Sequence, residues 1–131
     1  MKCIFKIFGV LMLSALLLAG CNSDSGTNAG SNGGGDFTVT VGSGTTPQYS
    51  WDAGNAFSIS VVRTAAPTTI IWGIATPGQS NIPSPSGHNV VPAGAVPTAV
   101  GTAEQTLTAG VEYRVSISLL SGKTGFTEFT P

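Results

Sequence analysis

The sequence predicts an all-β fold, a sandwich of two antiparallel sheets with about seven strands, over residues 37–131. Apolar residues recur at every second position in several runs, which is the period of a strand with one buried face. Glycine and proline turn signals interrupt every segment there that is long enough for a helix. The segments between them are rich in Val, Ile, Thr and Ser, which are poor helix formers. Seven short strands in about 95 residues are typical of such a sandwich.

Residues 1–20 have the layout of a secretory signal. Lys2 and Lys6 precede a nearly unbroken apolar run, 7–19, and small residues follow it. At 1.5 Å of rise per residue this run would form about 20 Å of helix, whereas the hydrocarbon core of a bilayer is about 30 Å thick. We therefore predict a signal peptide that is removed. A permanent transmembrane helix and a buried core helix are the disfavoured alternatives.

The apolar run ends in a motif that resembles the lipobox of bacterial lipoproteins at all four positions: Leu18, Ala19, Gly20 and Cys21. The resemblance implies that the Cys21 thiol receives a diacylglyceryl group and that the chain is cut between Gly20 and Cys21. It also implies that the new amino terminus is usually acylated. Two or three acyl chains would hold the protein stably, because each buried methylene contributes about 0.8 kcal/mol. An ordinary secretory signal with a cysteine after its cleavage site is the alternative.

The residue after the cysteine bears on which membrane carries the protein. By the same resemblance, an aspartate there is the usual retention signal of the inner membrane in two-membrane bacteria, and this chain has Asn22. We therefore expect a lipid-anchored protein of the cell envelope, in the outer membrane in preference to the inner. Asp24 lies close enough to leave the inner membrane as the alternative.

Residues 21–36, the lipidated cysteine and a Gly/Ser/Asn segment, predict a flexible tether. The segment 22–36 contains no large apolar side chain that could offset the entropy of ordering it. A chain of this composition and length averages roughly 20 Å from end to end and reaches about 50 Å when stretched. A phosphate-binding loop is disfavoured, because there is neither a Gly-Lys-Ser/Thr motif nor a preceding strand. The domain would thus be held off the bilayer.

The alternation of apolar and polar residues locates the strands of the domain. It is clearest from Val111 to Leu119, where every second residue is apolar and the residues between are Glu, Arg and Ser. Glycine, proline and Asx turn signals separate the runs. The predicted strands are 37–41, 47–51, 56–63, 68–75, 89–97 (irregular), 111–120 and 125–130.

Charge and cysteine content exclude several classes of partner. Beyond residue 20 the chain carries six acidic and three basic side chains, a net charge of −3. A basic stripe for nucleic acid and a polybasic patch for anionic lipid are both absent from the sequence. Cys3 would leave with the signal and Cys21 would be blocked by lipid, so no disulfide is expected.

Residues 107–113, with the sequence LTAGVEY, and the alternating run after them resemble the approach to strand F in fibronectin type III and related immunoglobulin-like domains. The resemblance implies that the Tyr113 hydroxyl bonds to backbone a few residues upstream. It implies further that Gly110 turns the chain and that Leu107 anchors it in the core. Residues 121–124 would be the turn between strands F and G.

This resemblance covers about 47–130, and one feature departs from it. The fibronectin tryptophan is expected within strand B, whereas Trp51 precedes the run assigned to that strand and Trp72 lies in the next run. An immunoglobulin-like sandwich of another subtype and a jelly roll therefore stay open as alternatives.

Catalytic and metal sites have little support in the sequence. His88 is the only histidine, so a Ser-His-Asp arrangement could use only it, with Ser84 or Ser86 and Asp52. We expect it instead to be a solvated residue in a loop of prolines and glycines. One histidine and a blocked cysteine cannot supply zinc with three or four ligands, and the Asp and Asn residues are too few and too scattered for calcium. We predict no catalytic residue, no metal and no cofactor.

The aromatic side chains are the remaining candidates for a binding site. Tyr49 and Trp51 share a strand face, and Trp72 aligns with isoleucines, so we expect all three in the core. If they were exposed, they could stack on sugar rings. The loop 76–88 is polar and stiffened by proline, and we expect it to be exposed; loops at the ends of sandwiches often bind ligands.

These observations favour a non-enzymatic interaction or structural module of the cell envelope. Its expected partners are the membrane, through the lipid on Cys21, and an envelope protein or glycan. A carbohydrate-binding module is the alternative, and an envelope hydrolase that uses His88 is the least favoured hypothesis.

Overall fold

The computed structural model describes residues 32–99 and 103–131, and in these ranges the chain forms nine strands and no helix. The predicted all-β class and two-sheet architecture are confirmed. In chain order the strands are β1 (Asn32–Gly35), β2 (Val39–Val41), β3 (Gln48–Trp51), β4 (Ser58–Arg63), β5 (Ala66–Ala75), β6 (Ser86–Gly87), β7 (Val96–Pro97), β8 (Tyr113–Ser118) and β9 (Thr124–Phe129).

The strands form one six-stranded sheet, in the order β1-β9-β8-β4-β5-β7, and one three-stranded sheet, in the order β2-β3-β6. Every neighbouring pair is antiparallel. In the large sheet Ile59 of β4 lies opposite Ile74 of β5 on one side and Ile117 of β8 on the other. All three are fully buried, and side chains of both sheets form one core cluster.

Strand β8 shows why the alternating pattern predicts its structure. Tyr113, Val115 and Ile117 are fully buried, whereas Arg114 and the two serines of the strand are half-buried on the other face. Successive side chains of a strand point to opposite faces, so an apolar residue at every second position buries one face only. The predicted strand 111–120 is confirmed, and two residues at each end of it lie outside the strand.

Strand β1 corrects the predicted boundary between tether and domain. Residues 32–35 pair with β9, and Asp36 accepts a hydrogen bond from the backbone N–H of Thr124 at 2.8 Å. The prediction of a flexible tether is therefore wrong for residues 32–36. The glycines here permit a close approach, since a Cβ on Gly34 would lie 2.9 Å from the ring of Phe126. Gly35 has a φ of 111°, which a side chain would strain.

Two other predictions need correction in the segments that contain β6 and β7. Of the irregular strand expected at 89–97, only Val96–Pro97 is a strand, and the prolines of this run cannot donate to a ladder. The loop 76–88, expected to be exposed, is partly buried. It contains the two-residue strand β6, and Ile82 in it is fully buried and bridges to Ala56.

The predicted signal peptide 1–20, the lipobox residues Leu18, Ala19, Gly20 and Cys21, and the tether residues 22–31 lie outside the described residues. Within the ranges that the structure does describe, no helix is long and apolar enough to cross a membrane.

Candidate functional site

The turn into β8 has the geometry that the sequence predicts for Tyr113. The Tyr113 hydroxyl accepts a hydrogen bond from the backbone N–H of Thr108 at 3.0 Å, five residues upstream. Leu107 is buried in the core, and Gly110 turns the chain with a φ of 79°. The predicted corner is therefore confirmed as local structure.

Glu104 connects this corner to two other strands, β4 and β5. Its carboxylate forms an ion pair with Arg63 of β4 and accepts a hydrogen bond from the Tyr113 hydroxyl of β8 at 3.2 Å. Its backbone N–H donates to the carbonyl of Ile71 in β5 at 2.8 Å. Glu104 thus connects the crossover segment between β7 and β8 to the large sheet through its carboxylate and its backbone.

The backbone carbonyl of Glu104 also accepts a hydrogen bond from His88, which the sequence predicts to be exposed to solvent. That expectation is wrong, because only 3 % of His88 is exposed. Its Nε2 lies 2.8 Å from the Glu104 carbonyl oxygen, and its Nδ1 lies 2.8 Å from the Tyr49 hydroxyl. Because a carbonyl can only accept, Nε2 carries the hydrogen. In the neutral ring Nδ1 then accepts from the Tyr49 O–H, which defines the tautomer.

Aromatic packing encloses this hydrogen-bonded pair. The ring centroids of His88 and Trp72 are 4.7 Å apart, and those of Tyr49 and Trp72 are 6.1 Å apart. Burial lowers the pKa of His88, against the opposing effects of the bond to Glu104 and of its charge. Burial, and secondarily Tyr113, raises the pKa of the Tyr49 hydroxyl. Both groups are therefore neutral near pH 7.

This arrangement engages two of the candidate groups of a Ser-His-Asp mechanism, His88 and Ser84, with other partners. Both ring nitrogens of His88 are occupied by Tyr49 and Glu104. The Ser84 hydroxyl accepts from the backbone N–H of Trp51 at 2.9 Å and donates to the carbonyl of the same residue at 2.8 Å. These contacts fasten the loop to β3 and engage the serine hydroxyl with backbone instead of a base.

The expectation that Tyr49, Trp51 and Trp72 lie in the core is confirmed. Their exposed fractions are 0 %, 7 % and 4 %. Trp51 also donates its indole N–H to the carbonyl of Gly54 in the following turn. The hypothesis that these three rings stack on sugars is therefore wrong.

The most distinctive part of the surface is one that the sequence reasoning missed. No charged residue lies between Arg63 and Glu104, and this uncharged segment supplies β5, β6 and β7. The strands β6 and β7 each end one of the two sheets. Large hydrophobic side chains of this segment are exposed: Ile70, Val90, Val91 and Val96. We call β6, β7 and these four exposed side chains together the uncharged edge. A scan for long segments without charge would have found it.

Other clefts and clusters offer less chemistry. A cleft of about 440 Å³ between β1 and β2 is lined by residues 33–40 and by Phe126 and Thr127 of β9. Its carboxylate, Asp36, is engaged with the backbone of Thr124. Among the residues that the structure describes, no group of three or more His, Cys, Asp or Glu side chains is placed to hold a metal ion.

Comparison with known proteins gives no further assignment. No family model matches this chain, and neither a curated protein nor a solved structure is similar enough to it to count as a match.

Proposed function

We propose that this chain is a lipid-anchored protein of the bacterial cell envelope whose β-sandwich acts as a non-enzymatic interaction or structural module. The lipobox-like residues 18–21 support the anchor. The uncharged edge supports the interaction, and it is the observation that carries this part of the proposal. Exposed apolar surface without charge is typical of the centre of a protein–protein contact, where charged residues are depleted.

We further propose that the domain is an immunoglobulin-like sandwich of the fibronectin type III kind. Such sandwiches have strands A, B and E in one sheet and strands C, F and G in the other, with C′ beside C in some subtypes. Here β2, β3 and β6 take the places of A, B and E, and β4, β8 and β9 those of C, F and G. Strand β5 takes the place of C′. In this assignment β1 and β7 are additions.

The strand assignment accounts for the tryptophan that departs from the family pattern in the sequence. Trp51 lies in β3, which takes the place of strand B. In this assignment the run 37–41 supplies strand A and the run 47–51 supplies strand B. The run 56–63 therefore corresponds to strand C and not to strand B. The corner at Tyr113 stands at the start of strand F, as the resemblance requires.

The chemistry of the uncharged edge favours a protein partner over a glycan. Its exposed large side chains are valines and an isoleucine, which pack against apolar side chains. Recognition of sugars commonly uses an exposed aromatic ring, and Tyr49, Trp51 and Trp72 are all buried. We therefore propose an envelope protein with an uncharged apolar face as the partner.

The anchor is tested by replacing the proposed lipid acceptor. Cells that express the protein with Cys21→Ser should accumulate unprocessed precursor without labelled palmitate, whereas the wild-type protein should carry the label. Ser23→Ala, two residues further on, is the matched control and should be labelled normally. Label on the Cys21→Ser protein would contradict the proposed anchor.

The interaction is tested by placing a charge on the uncharged edge. Val91→Asp should abolish the recovery of any protein that is cross-linked to the wild-type chain in intact cells. Leu120→Asp is the matched control, since Leu120 is an exposed hydrophobic residue in the turn between β8 and β9. If Val91→Asp and Leu120→Asp recover the same proteins in the same amounts as the wild type, the uncharged edge is not the contact.

A further inference from the structure

The hydrogen bonds of His88 join parts of the chain that are distant in sequence. Tyr49 lies in β3 of the small sheet, and Glu104 lies in the crossover segment that is bonded to β4, β5 and β8. Trp72 of β5 packs against the imidazole ring. His88 itself follows β6 directly, and its backbone N–H donates to the carbonyl of Pro47 at 2.8 Å. One side chain thus connects the two sheets at this end of the sandwich.

These bonds require the neutral form of the ring. The carbonyl of Glu104 fixes the hydrogen on Nε2, so Nδ1 must accept from the Tyr49 hydroxyl. If Nδ1 took up a proton, two donors would face each other. The Tyr49 oxygen could accept only after its own hydrogen had turned away from the His88 ring, into a site where burial keeps water out.

We propose that His88 is an acid-sensitive latch, which joins β3 to the Glu104 segment when its ring is neutral and releases them when the ring takes up a proton. Apart from the contacts of the Glu104 carboxylate with Arg63 and Tyr113, the backbone of β6 and of the Glu104 segment has few other attachments here. Strand β6 has two residues, and the Glu104 segment is held to neighbouring backbone by single hydrogen bonds, from Glu104 to Ile71 and from Leu107 to Thr45. Segments with few attachments open before a core does.

Two groups that face His88 oppose release. The Glu104 carboxylate attracts the imidazolium, but it already pairs with Arg63 and accepts from Tyr113. The face of Trp72 also attracts a cation. Burial raises the pKa of the Tyr49 hydroxyl, so Tyr49 is neutral at the pH at which a histidine titrates and adds no charge. Burial outweighs these effects and lowers the pKa of His88.

The lowered pKa of His88 determines how the stability of the fold depends on pH. Well above about pH 6.5, His88 is neutral in both the folded and the unfolded chain, so it makes stability independent of pH there. As the pH falls below that value, the unfolded chain takes up a proton that the folded chain resists. The equilibrium constant for unfolding then rises, by up to about tenfold per pH unit, until the pH reaches the pKa of the folded protein.

Because His88 is the only histidine, NMR can observe it without overlap. In the full chain in detergent micelles, imidazole ¹⁵N shifts should report hydrogen on Nε2 at pH 7.5 and a titration midpoint below about 6.5. The amide signals of Tyr49 and Glu104 should move with the same midpoint, and that of Thr127 in β9 should not. Hydrogen on Nδ1, a midpoint at or above the ordinary value, or a joint shift of all three amides would overturn the latch.

Two variants distinguish a pH-dependent release of the His88 hydrogen bonds from a general loss of stability. His88→Gln keeps an amide donor for the Glu104 carbonyl but cannot titrate, so its unfolding constant should be flat between pH 7.5 and 5.5. Ser84→Ala, which removes hydrogen bonds to β3 without touching His88, should lose stability and keep the wild-type pH dependence. Equal pH dependence in His88→Gln and the wild type would refute the proposal.

Tyr49→Phe gives a second test if His88→Gln does not fold. This change removes the donor that favours neutral Nδ1, so the midpoint of His88 should rise. An unchanged or lower midpoint would mean that the Tyr49 hydroxyl does not hold the ring neutral, and it would overturn the proposal. These measurements use the purified protein, so they can fail or succeed independently of the proposed envelope function.

Discussion

Replacing Tyr113 by phenylalanine tests the corner that joins the crossover segment to β8. The change keeps the buried ring and removes only the hydroxyl. That hydroxyl accepts from the Thr108 N–H at 3.0 Å and donates to the Glu104 carboxylate at 3.2 Å. The phenylalanine ring would pack against Phe129 as the tyrosine ring does, with centroids 5.9 Å apart. The effect on stability should therefore come from the lost hydrogen bonds alone.

The size of the effect follows from these two bonds. A neutral hydrogen bond contributes about 0.5–1.5 kcal/mol net, and one to a charged group contributes about 1.5–3 kcal/mol. Thr108 is exposed and Glu104 is partly exposed, so water can replace part of both bonds. We expect Tyr113→Phe to lower the free energy of unfolding by about 1.5–3 kcal/mol. For a domain of this size that corresponds to a fall in Tm of roughly 6–24 °C.

Urea unfolding followed by tryptophan fluorescence measures this change. Thr40→Val is the matched control, because it removes an exposed hydroxyl whose contact with the Ser50 carbonyl is long, at 3.5 Å. It should change the free energy of unfolding by less than about 0.5 kcal/mol. If Tyr113→Phe also changes it by less than that, the corner does not stabilise the fold and the reasoning from its hydrogen bonds is refuted.

Three further changes test the packing and the surface charges. Gly34→Val should remove the slow hydrogen exchange of the β1 amides, because its side chain would meet the ring of Phe126; protection equal to the wild type would contradict the pairing of β1. Ile117→Ala should cost about 2–5 kcal/mol in urea unfolding, while Ser116→Ala on the other face should cost less than about 0.5 kcal/mol; equal costs would contradict the buried face of β8. Arg114→Ala, whose ion pair is partly exposed, should cost at most about 1 kcal/mol and less at high salt; a larger, salt-independent loss would mean that the pair is not screened.

The sequence predicts best the strands whose pattern is local. The run around β8 alternates strictly, and both its strand and its buried face follow from that pattern alone. Tyr113 could be placed because its hydrogen-bond partner is only five residues away. The turn between β8 and β9 follows for the same reason, since Leu119 and Lys123 are paired through their backbones at 2.9 Å.

The misses depend on contacts between distant parts of the chain. Residues 32–35 have the composition of a linker, and only the pairing with β9 and the ring of Phe126 makes them a strand. His88 stands among turn residues, and it is buried because Tyr49, 39 residues away, is positioned to bond with it. Nothing in the residues next to either segment carries that information.

The lipid anchor is decided by the mass of the amino-terminal peptide of the protein purified from membranes. The proposed function predicts a peptide that begins at Cys21 and carries a diacylglyceryl group, with a further acyl chain on its amino terminus. A peptide that begins at Cys21 with an unmodified thiol, or a chain that still contains residues 1–20, would contradict it.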